Sequence, residues 1–409
     1  MKLLIVIPAL NEEASIASVI ERCLDAAPAI MSATAITGVD VTVVSDGSTD
    51  ATVEKARAFA DRVRVIVFER NRGYGAAIQE GWRGSDADLL AFLDADGTCD
   101  PRFFAELCRE LVSSGADIAL GSRMHRESRM PLVRRVGNLV FAGILTAFGT
   151  ERVRDSASGM RVVRRDCLRR LMPLPSGLHF TPAMSARAIL SDDLKIVEVD
   201  MPYREREGRS KLNPIKDGVR FLRVILTTAL LYRPSRPLRV VGWAFLLAAA
   251  FWAGRLVWQL ARFRSWQEWM IYHFVVVELS AVASLLLFTA GHLGDKAARA
   301  MLGSAVIDSR DRLGRFLAHR WFWLVPVALI AAGTLAVGPA TIDYIRTGKV
   351  EPASHHWSRF FAMSFAYSIA FILSATRLVD ITLDLLVDRL RYLRAQVDSE
   401  GRPSPSVPA

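Results

Sequence analysis

Short apolar runs alternate with charged, helix-compatible stretches as far as about residue 210; after residue 237 the apolar runs lengthen and arginine-rich loops separate them. The two halves are therefore suited to different solvents. Residues 2–8, 39–44, 63–67 and 88–93 are short apolar runs, and each gives way to turn residues and then to a helical pattern. Strands that alternate with helices predict right-handed crossovers and a mostly parallel sheet. Such sheets bind ligands beyond the carboxyl ends of their strands. The polar clusters fall there: Asn11-Glu12, Ser45-Asp46-Gly47-Ser48, Asn71-Arg72-Gly73 and Asp94-Ala95-Asp96.

Residues 131–149 and 213–232 place basic side chains at one end or face and apolar ones elsewhere, as helices lying in a membrane interface do. Residues 238–260, 271–293, 321–342 and 358–382 are each near the roughly 20 residues that cross a bilayer as helix. Trp243, Trp252, Trp258, Trp269, Tyr272, Trp321, Trp323 and Trp357 gather near the ends of these runs, as an aromatic belt would. The expected division is a soluble domain over 1–211, a juxtamembrane amphipathic helix over 212–236, a four-helix transmembrane domain over 237–382 and a tail over 383–409. Arg255 and Arg377, inside or at the edge of spans, are expected to snorkel, and Glu278 has no assigned role.

The formal net charge of +10 changes this picture little, because topology accounts for much of it. Lys296, Arg299, Arg310, Arg312, Arg315 and Arg320 crowd one loop, and Arg377, Arg389, Arg391 and Arg394 follow the last run. The positive-inside tendency makes both regions cytoplasmic, and an even number of spans puts residues 1–236 on the same side. Nucleic acid is not an expected partner, since no aromatic-interleaved basic strand accompanies the charge. The four cysteines lack the pair spacing of a zinc site, which suits a reduced cytosolic domain without disulfides. The first ten residues read as a buried strand rather than a cleaved leader.

Candidate chemistry centres on Asp94 and Asp96. Two carboxylates at i and i+2 on a strand end can hold one hard divalent cation and leave positions open for diphosphate oxygens. The spacing alone is a weak signal; its place after a buried strand strengthens it. Asp46 can accept hydrogen bonds from a base or ribose, while Ser48 or Asp50 suits the cap of the following helix. Gly73 and Gly75 permit close backbone approach.

Taken in order, Pro8-Ala9-Leu10-Asn11-Glu12, Ser45-Asp46-Gly47-Ser48-Thr49-Asp50, Asn71-Arg72-Gly73-Tyr74-Gly75-Ala76-Ala77, Asp94-Ala95-Asp96-Gly97, Gly121-Ser122-Arg123 and Asp155-Ser156-Ala157-Ser158-Gly159-Met160-Arg161 resemble family 2 inverting glycosyltransferases. The likeness is to those that act on dolichyl or polyprenyl phosphate, and it covers about residues 1–235. It implies an α/β, Rossmann-like GT-A catalytic domain followed by an all-α membrane domain. It further implies a nucleotide-sugar donor, a polyprenyl phosphate acceptor, Mg2+ or Mn2+ as cofactor, and an integral membrane protein whose catalytic domain faces the cytoplasm. Whether the chain forms a homo-oligomer stays open.

By position, the resemblance makes Pro8, Leu10 and Glu12 border the nucleoside, Asp46 contact the base, and Gly73 approach the donor. Asp94 and Asp96, flanking Ala95, would bind metal and diphosphate. Arg123 would meet a phosphate, Arg135 and Ser158 would line the acceptor phosphate site, and Arg209 and Lys211 would form a basic loop over the phosphates. Ser45 stands where a second aspartate is frequent and Thr98 where a metal-binding glutamine is frequent, so nucleotide and sugar stay open.

A phosphate acceptor also fits elementary chemistry. A hydroxyl acceptor needs a general base, whereas a phosphate monoester with a second pKa near about 6 is largely dianionic at neutral pH. What is then required is cations to bring two phosphates together, and Arg123, Arg134, Arg135, Arg209 and Lys211 flank the two interfacial segments. Anionic headgroups would attract the same side chains. Transfer to a hydroxyl lipid or polysaccharide, and a non-catalytic role in moving or scaffolding a sugar lipid, remain the alternatives.

Overall fold

The computed structural model describes residues 1–124, 132–149, 151–202, 214–265, 267–302, 312–349 and 356–400. These residues divide into two compact units, one spanning Met1–Tyr232 and a second beginning at Arg233.

The first unit is built on a seven-stranded sheet: β1 (Lys2–Ala9), β2 (Gly38–Ser45), β3 (Arg64–Val67), β4 (Leu89–Leu93), β5 (Ile118–Ser122), β6 (Met160–Arg164) and β7 (Ile196–Asp200). Their spatial order is β3-β2-β1-β4-β6-β5-β7. The first four strands are mutually parallel and β5 runs parallel to β7, while β6 runs antiparallel between β4 and β5. Helices cover both faces of a parallel sheet, so its strands read as unbroken apolar runs; β4, Leu-Leu-Ala-Phe-Leu, is buried at every position. Leu3, Ile5 and Ile7 pack on one face with Ile16, Val19 and Ile20 of the helix Ile16–Ala33. On the other side, Phe92 meets Trp82 of the helix Tyr74–Trp82 and Phe180 of the helix Phe180–Leu190, with ring centroids 6.1 and 5.9 Å away.

Both segments expected to be amphipathic are helices, Leu132–Phe148 and Pro214–Tyr232. They touch through Phe141 and Phe221, whose centroids are 5.9 Å apart. The first buries Asn138, Ala142, Leu145 and Phe148 and exposes Leu132, Val136, Leu139 and Val140. Those exposed positions follow i, i+4, i+7, i+8 and so form one continuous apolar stripe.

Among the described residues, three helices of the second unit are long and apolar enough to cross a membrane: Ser235–Phe263, Glu268–Leu302 and Leu324–Thr347. The segment expected as the fourth span lies in a continuous helix, Ser358–Glu400, which is outside that group. Small residues bring helices close, as is usual in membranes. Ser284 Oγ donates to the Gly242 carbonyl at 2.9 Å, and Gly333 packs under Tyr367, whose hydroxyl is 2.8 Å from Thr334 Oγ1. Glu278 accepts from Ser364 Oγ at 2.6 Å on the facing helix. Arg377 Nη1 lies 2.7 Å from Asp380 Oδ2, an ion pair within one helix turn. Arg255 lies against the Trp258 ring at 5.5 Å.

Candidate functional site

Parallel strands β1 to β4 end at the same edge of the sheet, and the polar clusters line up along it. Pro8 sits in the last turn of β1, paired with Val44, and the chain then turns at Asn11, whose φ of 48° is left-handed. Asparagine tolerates that conformation because its side chain can bond locally. Here Asn11 Oδ1 accepts from Thr49 N at 2.8 Å, and Asn11 N donates to Ser48 Oγ at 3.0 Å. Glu12 N donates to Thr52 Oγ1 at 2.8 Å. Leu10 and Glu12 are thus carried on a loop stitched to the end of β2. The helix Thr52–Arg57 is capped at Ala51 with no side-chain cap bond, which corrects the expectation of a Ser48 or Asp50 cap; Asp50, one residue earlier, accepts from Thr52 N at 3.0 Å across a two-residue turn.

Asp46 is nearly enclosed, and its carboxylate accepts from Arg72 N at 2.6 Å and from Gly73 N at 2.9 Å. Burial raises its pKa and so favours the neutral acid, and the two backbone donors oppose that shift. In this structure Asp46 therefore shapes the Arg72-Gly73 turn. Gly73 adopts a φ of 106°, and a Cβ there would lie 2.4 Å from the Ser176 carbonyl oxygen, so only glycine fits.

Asp94 and Asp96 follow β4. Ala95 between them is buried, and its carbonyl accepts from Ser15 Oγ at 2.6 Å. Asp96 Oδ1 accepts from Thr98 Oγ1 at 2.7 Å and Thr98 N at 3.2 Å, so Thr98 orients this carboxylate. Asp94 Oδ1 accepts from Tyr74 Oη at 2.6 Å. Burial and the Asp94 carboxylate both push the Tyr74 phenol well above its ordinary pKa, which keeps it a donor. Among the described residues no group of three His, Cys, Asp or Glu side chains converges on one point. Among the described residues, Asp94 and Asp96 place two carboxylates in this one turn. That set fits Mg2+ or Mn2+, which commonly take one or two carboxylates and complete their shell with phosphate oxygens and water.

Because β6 runs antiparallel to β4 with Met160 opposite Leu93, the segment entering β6 is brought beside Asp94. Ser158 is fully buried and donates from Oγ to the Gly121 carbonyl at 2.5 Å. That bond ties the start of β6 to the end of β5. Arg161 is fully buried as well. Its Nε donates to the Ser158 carbonyl at 3.1 Å and its Nη2 to the Ser156 carbonyl at 2.9 Å, while burial lowers the guanidinium to about 10.

Arg123, at the end of β5, forms a bidentate pair with Asp155. Burial disfavours both charges, yet each partner's field prevails: Asp155 is held below the ordinary carboxylate range and Arg123 above its usual value. Asn138 Nδ2 adds a 2.8 Å bond to Asp155. Arg135 is half-buried in the helix Leu132–Phe148. Arg209 and Lys211 lie outside the described residues. The structure therefore brings Asp46, Gly73, Asp94, Ala95 and Asp96 to one edge with Pro8, Leu10 and Glu12. It adds Tyr74, Asp155, Gly159 and Arg161, whose parts were not assigned from sequence although each lies in a motif read there. The four cysteines are free and buried.

Comparison with known proteins agrees with this architecture. The sequence pattern of Glycosyl transferase family 2 matches residues 4–172. The chain is 34% identical over 257 residues to the low-salt glycan biosynthesis hexosyltransferase Agl6 of Haloferax volcanii, an alignment covering 61% of this chain and 59% of the relative. It is 30% identical to a dolichyl-phosphate hexose transferase of the same organism, over 53% of this chain and 89% of the relative. It is 31% identical to a dolichyl-phosphate beta-glucosyltransferase of Drosophila melanogaster, over 52% of this chain and 70% of the relative. With its motifs at one sheet edge and nearly nine-tenths of one such relative matched, the chain belongs to glycosyl transferase family 2.

Proposed function

We propose that this protein transfers a hexose from a nucleotide sugar to a polyprenyl phosphate, with inversion at the anomeric carbon, to make a lipid-linked sugar donor for envelope glycan assembly. The observation that carries the reading is the Asp94-Ala95-Asp96 turn at the carboxyl edge of the parallel strands, in a unit that also exposes an apolar helix stripe. The relatives named for dolichyl phosphate support the acceptor class.

Asp94 and Asp96 would hold the cation, which would neutralise the charge of the departing nucleoside diphosphate. The loop of Pro8, Leu10 and Glu12 borders the nucleoside, with Asp46 and Gly73 fixing the turn beside it. Arg123 and Arg135, with Arg209 and Lys211, supply positive charge for two phosphates. Asp155 holds the Arg123 guanidinium in one orientation, so the cation is in place before substrate arrives. The acceptor phosphate is already anionic, so no side chain need remove its proton.

The stripe of Leu132, Val136, Leu139 and Val140 would lie against the lipid surface where the acceptor resides. Three apolar helices, with Ser358–Glu400 as a fourth span, would anchor the chain with both the catalytic unit and the basic loop near Lys296 in the cytoplasm. The test is to incubate purified protein in vesicles with UDP- and GDP-sugars, Mg2+ or Mn2+, and either undecaprenyl phosphate or a diacylglycerol. Sugar transfer to the phosphate lipid, abolished in Asp96→Ala, is expected. Transfer to the hydroxyl lipid alone, or undiminished turnover in Asp96→Ala, overturns the reading.

A further inference from the structure

We infer that Tyr74 is a positioning residue for the metal-binding carboxylate of Asp94, which it holds in place against the bare Cα of Gly159. The inference rests on the reading of Asp94 and Asp96 as ligands of a divalent cation.

Two independent contacts bracket this carboxylate. On one side the Tyr74 hydroxyl donates to Oδ1 at 2.6 Å. The phenol is itself fixed: Tyr74 opens the helix Tyr74–Trp82 directly after the constrained Gly73, and its ring stands edge-on to Phe92 of β4 at 6.4 Å and 86°. On the other side lies Gly159. A Cβ added there would fall 1.8 Å from Asp94 Oδ2 and 2.3 Å from Cγ, far inside van der Waals contact. Its φ is not in the left-handed region, so the backbone would accept another residue. The need for glycine comes from the carboxylate.

The Gly159 side of the bracket is anchored from beneath. Arg161, with no exposed surface, grips the carbonyls of Ser156 and Ser158, so the chain cannot yield easily to a bulkier residue. Register supplies the placement, since Met160 opposite Leu93 brings the preceding residue beside the one that follows Leu93. An ionised carboxylate has about four lone-pair sites, and the phenol bond occupies one of them. Outer partners of this kind set ligand orientation, and losing one typically costs about 10- to 100-fold in metal affinity or activity.

Tyr74→Phe removes the hydroxyl and keeps the ring against Phe92. Full-length protein in detergent is titrated with Mn2+, alone and with UDP or GDP, and free Mn2+ is followed by electron paramagnetic resonance. Tyr74→Phe is expected to weaken Mn2+ binding by about 10-fold or more, with an unchanged thermal midpoint and transfer activity largely restored at high Mn2+. Gly159→Ala should also weaken Mn2+. Combined with Tyr74→Phe, its effect should be smaller than the product of the two, because both act on one carboxylate. Wild-type Mn2+ affinity in Tyr74→Phe overturns the inference while leaving the function standing. If the unmodified protein binds no Mn2+ with either nucleotide, the metal reading fails and the inference with it. Should Gly159→Ala fail to fold, the Tyr74→Phe titration decides alone.

Discussion

Arg123 and Asp155 meet through two parallel hydrogen bonds: Nε lies 2.7 Å from Oδ2 and Nη2 lies 2.8 Å from Oδ1, with the Asp155 side chain wholly buried and that of Arg123 mostly so. The Arg123 backbone N–H adds a third bond to Oδ2 at 3.0 Å. Removing one partner of such a pair leaves a buried charge uncompensated, at a cost of about 3–5 kcal/mol. Asp155→Ala should therefore lower stability by that order in chemical denaturation. An unchanged unfolding midpoint would show that Arg123 finds another partner at no cost.

The same pair predicts an acid limit to stability. Burial raises the Asp155 pKa, but Arg123 lowers it further, and the net folded value is below the ordinary carboxylate value of about 3.9. In that window the unfolded chain binds more protons than the folded one, so stability rises with pH. Asp155 thus contributes fully above pH ~4, and the contribution is lost as pH falls through its folded value. Asp155→Asn, which cannot ionise, should flatten this acid limb relative to wild type when unfolding is followed across the window. Parallel acid limbs in the two proteins would remove Asp155 from the effect.

Asp46 should matter through the backbone it organises. Asp46→Ala leaves the N–H groups of Arg72 and Gly73 without their carboxylate. An unsatisfied buried donor costs about 1–3 kcal/mol. The turn that carries Gly73 against Ser176 should loosen, and nucleotide affinity measured by calorimetry with UDP and GDP should fall at least several-fold. Asp46→Asn, which retains one acceptor oxygen, should lose less. Equal affinities in all three proteins would show that the turn holds its shape without Asp46.

Much of this was legible along the chain, and the exceptions have physical causes. β1, β2 and β4 were readable because strands covered on both faces are apolar where they cross the core, and β3, at the sheet edge, through its Val-Ile-Val run. β6 was not, because Met-Arg-Val-Val-Arg carries a fully buried arginine at Arg161, tolerable only where the Ser156 and Ser158 carbonyls receive it. Asp94 and Asp96 stood out by their place after a buried strand. Tyr74 did not, since its reach to Asp94 depends on how a helix sits on the sheet. The bond from Ser158 to the Gly121 carbonyl was not legible either, because it depends on β5 and β6 lying side by side.

If the exposed stripe on Leu132–Phe148 meets lipid, charge placed there should separate two activities. Val136 and Val140 are exposed, so Val136→Glu with Val140→Glu removes no core contact and should leave the thermal midpoint within the small range of surface changes. Hydrolysis of the nucleotide sugar should persist while the KM for polyprenyl phosphate in vesicles rises. A wild-type KM in vesicles would show that the stripe does not serve the acceptor.

Asp380 is the centre of a charged cluster in the second unit, and removing it should unfasten two helices. Its side chain is almost fully buried. It receives His292 Nε2 at 3.1 Å, the Lys296 ammonium, and Arg377 Nη1 at 2.7 Å, joining Glu268–Leu302 to Ser358–Glu400. Lys296 also reaches Asp384 Oδ2 at 2.8 Å. Charges are expensive beside apolar helix surface unless mutually paired, so Asp380→Ala takes from Arg377 its carboxylate, leaves Lys296 with Asp384 as its carboxylate partner, and should cost several kcal/mol, of order 3–5. Replacing Lys296 and Arg377 by Met together with Asp380→Leu removes all three charges at once. That triple variant should recover much of the loss, since apolar substitutes for a complete buried network are often neutral or stabilising. Unfolding followed in detergent or bicelles would distinguish the cases. A triple variant less stable than Asp380→Ala would mean that the cluster stabilises the helix pair through more than the pairing of its own charges.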